Sequence, residues 1–153
     1  MVKEYIFDTS FIVKGLVIPR RRKKDHILNQ RLVRHQIAKG YLDQASKGKA
    51  VMYIPSLALV ETAVVIARLT NSREEAEKAI LFLRENSSDI FYDVDILDDA
   101  ISLGVKAKAR SFDVMFLAVA KLTHSLLLTD DKTMHKLAHQ IGLESNLLRE
   151  MTQ

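Results

Sequence analysis

The chain lacks cysteine, and none of its apolar runs reaches the length of a membrane-spanning helix. The absence of cysteine excludes disulfides and thiolate metal sites, and it is compatible with a reducing compartment. Residues 1–4 have none of the features of a secretory signal, so we expect a cytoplasmic protein without a membrane partner. The composition, 48% hydrophobic and 27% charged, is ordinary for one globular domain of 153 residues.

Several catalytic motifs are missing as well. The sequence has no glycine-rich phosphate loop, no GxSxG, no HExxH and no cysteine nucleophile. The histidines share no ligand spacing with the acids. His135 and His139 lie four residues apart, but on a predicted amphipathic helix, and we interpret all the histidines as surface or core-edge residues.

Positive charge is concentrated in one stretch of the chain. Residues 19–49 contain ten Lys or Arg against two Asp, whereas the whole chain has a net charge of +4, so the remainder is net acidic. A basic segment suits a polyanionic partner, while embedded acids suit a metal ion. The run of Arg20, Arg21, Arg22, Lys23 and Lys24 is either a solvated loop or a set of contacts to RNA phosphates.

Strand-like and helix-like segments alternate along the chain without tight hairpin signals. Strands are predicted at 5–7, 51–54, 90–94 and 125–129, and residues 147–148 fit either an edge strand or a helical tail. Helices are predicted at 27–47, 57–67, 73–85, 96–107 and 132–140, with one more after Ser111; Ser72, Asp95 and Ser111 are the predicted N-caps. This order predicts an α/β fold, with a central parallel sheet of about five strands and helices on both faces. We expect a single domain over residues 1–153, with a basic insertion around 19–30.

Asp8, Glu61, Asp113 and Asp131 each lie within or beside an apolar segment. Asp8 and Asp131 follow predicted strands, and Glu61 and Asp113 lie near the starts of apolar helices. Because parallel strands end at one edge of a sheet, where ligands commonly bind, the four carboxylates can converge there. Each also has an ordinary explanation: the aspartates suit turns and helix starts, and Glu61 can extend to solvent.

Carboxylates clustered without compensation repel one another, so their convergence implies a bound cation. Ligation by oxygen alone favours Mg²⁺ or Mn²⁺ over zinc. The neighbouring hydroxyls of Thr9, Ser10 and Thr129 are candidates to orient the carboxylates through hydrogen bonds.

These motifs together resemble the PIN domain, and within it the small VapC-type ribonuclease toxins. The likeness rests on Asp8-Thr9-Ser10 after the first strand, Glu61 in the segment that starts at Pro55, Asp113 before an Ala-rich helix, and Thr129-Asp130-Asp131 after the next strand. The resemblance implies a five-stranded parallel sheet between helices, a site dependent on Mg²⁺ or Mn²⁺, endonucleolytic cleavage of RNA, and dimerisation. It places Asp8, Glu61, Asp113 and Asp131 on the acidic quartet, with Ser10 and Thr129 in support, and it ranks Asp131 above the supporting Asp130 as a ligand.

The basic connection over 20–30 is longer than in the usual toxin. A toxin paired with an antitoxin protein and an RNA-processing nuclease are therefore both open. Two rival functions also stay open: a catalytically silent RNA or protein adaptor, and a Mg²⁺-dependent phosphohydrolase or receiver-like domain. The last is disfavoured because no second acid lies two residues after Asp8.

Overall fold

The computed structural model describes residues 1–151, which form an α/β domain around one parallel sheet. The strands are β1 Lys3–Phe7, β2 Ala50–Pro55, β3 Asp89–Phe91, β4 Leu126–Thr129 and β5 Ser145–Leu147. Their order across the sheet is β3-β2-β1-β4-β5, and every neighbouring pair is parallel. The predicted fold class is confirmed.

Within the described residues, seven α-helices connect and flank the strands. They are α1 Thr9–Leu16, α2 His26–Ser46, α3 Leu57–Thr70, α4 Arg73–Asn86, α5 Asp93–Ala107, α6 Ser111–Thr123 and α7 Lys132–Gln140, and a short 3-10 helix follows at Leu148–Glu150. α1 is not among the predicted helices. None of the helices in residues 1–151 is long and apolar enough to cross a membrane.

Three local predictions need correction. Ser111 is the first residue of α6, whose N-cap is Arg110. Asp95 lies inside α5 and accepts a hydrogen bond from the backbone N of Tyr92 (2.9 Å), which is the actual N-cap. Because α5 therefore begins at Asp93, β3 ends at Phe91, earlier than the predicted residue 94. The predicted N-cap Ser72 is confirmed, since its side chain accepts from Glu75 N.

The core places α1 tightly against the sheet and against α2. The rings of Tyr5, Phe7, Phe11 and Tyr41 form a chain of contacts with centroids 5.4–5.9 Å apart. Gly15 permits the close approach of the two helices, because a Cβ there would lie 2.5 Å from Leu42 Cδ1. This packing fixes the position of α1, whose first residue follows Asp8 directly at the end of β1.

The order of the sheet reverses at β1, which pairs with β2 on one side and with β4 on the other. Tyr5 lies opposite Met52 in β2 and opposite Leu126 in β4. In open parallel sheets the crevice beyond the carboxyl ends of such strands is the usual place for a ligand. Asp8 follows β1 and Asp130 and Asp131 follow β4, so both acidic segments reach this crevice.

Candidate active site

A cavity of about 1200 Å³ opens beyond the carboxyl ends of the central strands. All four lone acids predicted from the sequence line it, together with Thr9 and Ser10. These four acids, Asp8, Glu61, Asp113 and Asp131, come from four separate segments of the chain, and a fifth acid, Glu75 of α4, also lines the cavity. The cavity is thus the place where these distant carboxylates meet.

Asp8 is the most firmly held of the four, with only 4% of its surface exposed. Its Oδ1 accepts hydrogen bonds from Ser10 Oγ (2.6 Å) and from the backbone N of Phe11 (3.0 Å), and its Oδ2 accepts one from Thr129 Oγ1. The bond from Phe11 makes Asp8 the N-cap of α1, so the ordinary cap explanation also applies to this residue.

The two hydroxyls that bind Asp8 also bind the chain that follows β4. Ser10 Oγ accepts from the backbone N of Asp130 (3.0 Å), and Thr129 Oγ1 accepts from the backbone N of Asp131 (2.9 Å). Two hydrogen-bonded relays therefore connect the ends of β1 and β4 through the Asp8 carboxylate. The third hydroxyl considered, Thr9 Oγ1, lines the same cavity but is buried without a hydrogen-bond partner.

Glu61 and Asp113 reach the cavity from helices. Glu61 is the fifth residue of α3, and its Oε1 is buried without a hydrogen-bond partner. Burial raises the pKa of the Glu61 carboxyl, and the negative charges of Asp113 and Asp8 raise it further. Burial also raises the pKa of Asp113, the third residue of α6; Asp131 adds to this effect and Arg110 opposes it.

Burial raises the pKa of Asp8 as well, to about 6. The hydrogen bonds from Ser10, Thr129 and Phe11 stabilise the ionised form and lower the pKa, while the charge of Asp131 raises it. Each of these raised values involves at least one other acid of the cavity. The four carboxylates are therefore close enough to repel one another, although they lie far apart in the sequence.

The two consecutive acids after β4 have different surroundings. Asp131 is exposed and caps α7, because its Oδ1 accepts from the backbone N of Thr133 (2.7 Å) and of Met134 (3.3 Å). Asp130 is buried and pairs with Lys14 (Nζ to Oδ2, 3.9 Å) and Arg149 (Nε to Oδ1, 3.4 Å). Asp130 is thus neutralised within the fold and does not line the cavity.

The PIN domain family matches residues 5–140 of the chain. The chain belongs to this family. In sequence, no curated protein matches it. Among solved structures, PAE2754 from Pyrobaculum aerophilum is similar to it over 99% of this chain and 94% of the other, with 14% identity and a TM-score of 0.62. A domain of a functionally unknown protein from Methanocaldococcus jannaschii DSM 2661 covers 95% of this chain and 91% of its own, with 22% identity and a TM-score of 0.46.

PIN domains generally use divalent metal ions, and the donor set of this cavity fits a hard one. The donors are carboxylate oxygens, and the unpartnered Glu61 Oε1 has a lone pair for a further ligand. Within residues 1–151, however, no three His, Cys, Asp or Glu side chains are gathered closely enough to hold one ion. The acids of this PIN domain line a common cavity without forming a closed cluster, which corrects the tight cluster that the sequence predicts.

The basic run predicted to bind RNA contributes one residue to the cavity of this PIN domain. Arg20 lines the cavity, whereas Arg21 pairs with Asp25 (3.2 Å). The side chains of Arg22, Lys23 and Lys24 are exposed and lie outside it. Three further cations that the sequence did not single out line the cavity: Lys14, Arg31 and Lys78.

The sequence carried only weak signals for these three cations. Lys14 lies six residues after Asp8 in α1, and Arg31 belongs to the basic half of the chain but not to the run. Lys78 pairs with Glu74 (3.1 Å) and approaches Glu75 (3.8 Å) in α4, which gives it the pattern of an ordinary solvated face. Only the packing of α1, α2 and α4 around the cavity distinguishes them from other surface cations.

Proposed function

We propose that this PIN domain is a metal-dependent endoribonuclease. PIN domains are typically metal-dependent nucleases. The observation that supports the proposal for this chain is the single cavity that holds Asp8, Glu61, Asp113 and Asp131 beside a rim of cations. Carboxylates suit the metal ion and cations suit the phosphate backbone, so the cavity has complementary groups for both components of such a reaction.

Asp8, Glu61, Asp113 and Asp131 would hold Mg²⁺ or Mn²⁺ with water completing the coordination, because within residues 1–151 no three of them lie close enough to bind one ion directly. When bound, the metal would supply hydroxide from water and offset charge on the attacked phosphate. Ser10 and Thr129 keep the Asp8 carboxylate in one orientation, because each donates a hydrogen bond to a different oxygen. Arg20, Arg31, Lys14 and Lys78 would contact phosphates of the RNA, which positions the strand without reading its bases.

The direct test is incubation of single-stranded and structured RNAs with and without Mn²⁺, with the cut ends mapped. We expect internal cuts that require the metal and that disappear in Asp113→Asn. The matched control is Glu85→Gln, an exposed acid of α4 outside the cavity, which should cleave like the wild type. Equal cleavage by the wild type and Asp113→Asn would contradict the proposed site.

Metal binding has a readout that is independent of cleavage. A ligand that binds only the folded protein raises its free energy of unfolding by about 2.7 kcal/mol at a hundredfold excess over Kd. We expect Mn²⁺ to raise the thermal midpoint of the wild type and to raise that of the Asp8→Asn, Asp113→Asn double variant much less. A calcium-induced rise without cleavage would agree with binding by oxygen ligands.

The rival functions make different predictions for the same protein. A silent adaptor would bind RNA and leave it intact under every metal condition. A phosphohydrolase that forms a phosphoenzyme would be labelled by a phosphate donor. The sequence disfavours the second rival, because no second acid lies two residues after Asp8.

Two biological roles have to be distinguished: a toxin and an RNA-processing enzyme. A toxin requires an antitoxin protein that inhibits it, whereas a processing enzyme requires none. Expression that arrests growth and is relieved by a co-expressed partner protein would support the toxin role. Normal growth, with altered RNA ends in the cell, would support RNA processing.

A homodimer is also part of the proposal, with the outward face of α5 as its proposed surface. Val94, Leu97, Ile101 and Val105 form an outward apolar stripe with exposures of 81%, 50%, 57% and 77%. Asp95 and Asp98 flank the start of this stripe, and Lys106 and Lys108 lie at its other end. Two copies of α5 packed antiparallel would bury both stripes and place acids of one copy beside lysines of the other.

Ile101→Lys tests this surface, with Leu81→Lys as the control because Leu81 is an exposed apolar residue of α4. Sedimentation should show a dimer for the wild type and the control, and a monomer for Ile101→Lys. A wild-type monomer at the highest concentration tested would contradict the dimer without affecting the nuclease proposal.

A further inference from the structure

Two histidines of α7 and a buried serine of β5 form a cluster outside the acidic cavity. His135 and His139 are one helical turn apart, and their rings are in edge contact with centroids separated by 4.5 Å. Ser145 is the first residue of the edge strand β5 and is buried. None of the three residues lines the cavity that holds the carboxylates.

Ser145 binds one nitrogen of each imidazole. His139 Nε2 lies 3.4 Å from the carbonyl oxygen of Ser145, and since a carbonyl only accepts, this nitrogen carries the proton. His135 Nδ1 lies 2.5 Å from Ser145 Oγ, and this Oγ lies 3.5 Å from the carbonyl oxygen of His135, so in one of the two tautomers of His135 the Nδ1 donates to Oγ while Oγ donates to this carbonyl. In this tautomer His135 Nε2 and His139 Nδ1 have free lone pairs, and within residues 1–151 neither nitrogen has a hydrogen bond of the fold.

In metal-binding histidines one nitrogen ligates and the other donates to an oxygen that fixes the tautomer and the ring orientation, and the contacts of Ser145 permit this division of roles in both rings. Imidazole suits Zn²⁺, Cu²⁺ and Ni²⁺, whereas Mg²⁺ and Mn²⁺ prefer the carboxylates of the cavity. We propose that His135 and His139 form a second metal site, selective for transition-metal ions such as Zn²⁺. In the described part of the chain no third His, Cys, Asp or Glu joins the pair, so water completes the coordination.

The position of the site predicts a structural consequence of binding. His135 and His139 belong to α7, and Ser145 connects their rings to β5 across the turn that contains Gly142 at φ +78°. An ion that binds only the folded pair would stabilise the packing of α7 on this edge strand. The proposal is independent of nuclease activity.

The histidine ring signals in NMR test the site directly. Zn²⁺ is added to the protein in the presence of excess Mg²⁺, which occupies the carboxylates. We expect the signals of His135 and His139 to shift together, while those of the exposed His26 and His124 stay in place. Mg²⁺ alone should shift neither of the two α7 signals.

Calorimetric titration with Zn²⁺ under the same conditions gives the affinities. His139→Ala should weaken binding at least about tenfold, and Ser145→Ala should weaken it by about tenfold because the rings lose their orientation. His26→Ala is the matched control and should bind like the wild type. His139 is exposed, so its variant should fold even if Ser145→Ala does not. Equal Zn²⁺ affinity in the wild type and His139→Ala, or no shift of the His135 and His139 signals, would overturn the proposal.

Discussion

The acidic side of the cavity and its basic rim are assembled in opposite ways. Asp8, Glu61, Asp113 and Asp131 are dispersed over most of the chain, yet all of them line the cavity. The basic residues of the run at 20–24 are consecutive, yet only Arg20 reaches it. Two of the acids follow strands and two lie near the starts of helices, and the core determines the positions of these strands and helices. The basic run instead lies in an exposed connection between α1 and α2. Proximity in the sequence is therefore a poor guide to proximity at this site.

Under the proposed function, the largest expected effect is the loss of RNA cleavage when an acid of the cavity is replaced. Asp113→Asn and Glu61→Gln each remove one charge while keeping the size of the side chain. We expect kcat/KM for RNA cleavage to fall by about 10³-fold in either variant, the magnitude typical of a lost group in proton transfer or charge stabilisation. Circular dichroism should show an unchanged fold.

Replacement of all three exposed basic residues Arg22, Lys23 and Lys24 by Ser is the comparison for those variants. It should leave kcat/KM within a few-fold of the wild type. If this triple variant lowered kcat/KM as much as Asp113→Asn or Glu61→Gln does, the contrast between the acidic side and the exposed basic run would be wrong.

The next largest effect is a change in the free energy of unfolding with pH, caused by the ionisation of Asp8. Its pKa in the folded protein, about 6, is above the ordinary 3.8 of the unfolded chain, so the folded state binds this proton more tightly. The stabilisation of the folded protein by this proton is fully present below pH 3.8 and is lost as the pH rises through 6. The difference corresponds to about 3 kcal/mol in the metal-free protein.

Urea unfolding of metal-free protein between pH 4 and pH 7 measures this loss. In Asp8→Asn the fall in the free energy of unfolding should be smaller than in the wild type by about that amount. Glu61 and Asp113 contribute a fall of the same sign in both proteins, because their pKa values are also raised. A fall of the same size in the variant and the wild type would show that Asp8 is not the titrating group.

A smaller effect on the free energy of unfolding distinguishes an acid that caps a helix from an acid that mainly repels the other acids of the cavity. Asp131→Ala loses the hydrogen bonds from Thr133 and Met134, so it should destabilise the metal-free protein by about 0.5–2 kcal/mol. Asp113→Asn removes a charge that burial and Asp131 disfavour, so at pH 7 its stability should equal or exceed that of the wild type. Thermal unfolding in chelator compares the two, and a destabilised Asp113→Asn would assign that acid an ordinary structural function.

The smallest effect concerns the salt dependence of RNA binding. For a single strand, each lost phosphate contact should reduce the slope of log K against log salt by about 0.7. Arg20→Ser with Arg31→Ser should therefore lower the slope by about 1.4, whereas Arg22→Ser with Lys23→Ser should change it little. Equal reductions in the two double variants would show that the exposed run contacts RNA as well as the rim does.

Features that depend on short-range patterns were predictable from the sequence. The alternation of apolar runs predicted four strands and the parallel sheet, because burial is encoded in local periodicity. The cap at Ser72 followed from its local sequence. The isolation of Asp8, Glu61, Asp113 and Asp131 among apolar residues distinguished them as candidates, since a charge in such a segment is costly without a partner.

The relation between the ends of β1 and β4 was decided by the tertiary structure alone. The hydrogen bond from Thr129 to Asp8 joins residues 121 apart, and the bond from the backbone N of Asp130 to Ser10 joins residues 120 apart. The same packing turns Asp130 toward Lys14 and Arg149 while Asp131 faces the cavity, a division that two adjacent identical residues cannot show in sequence. It also brings Arg31 and Lys78 to the rim and leaves Arg22 outside, because the positions of surface cations depend on how whole helices pack and not on their immediate neighbours.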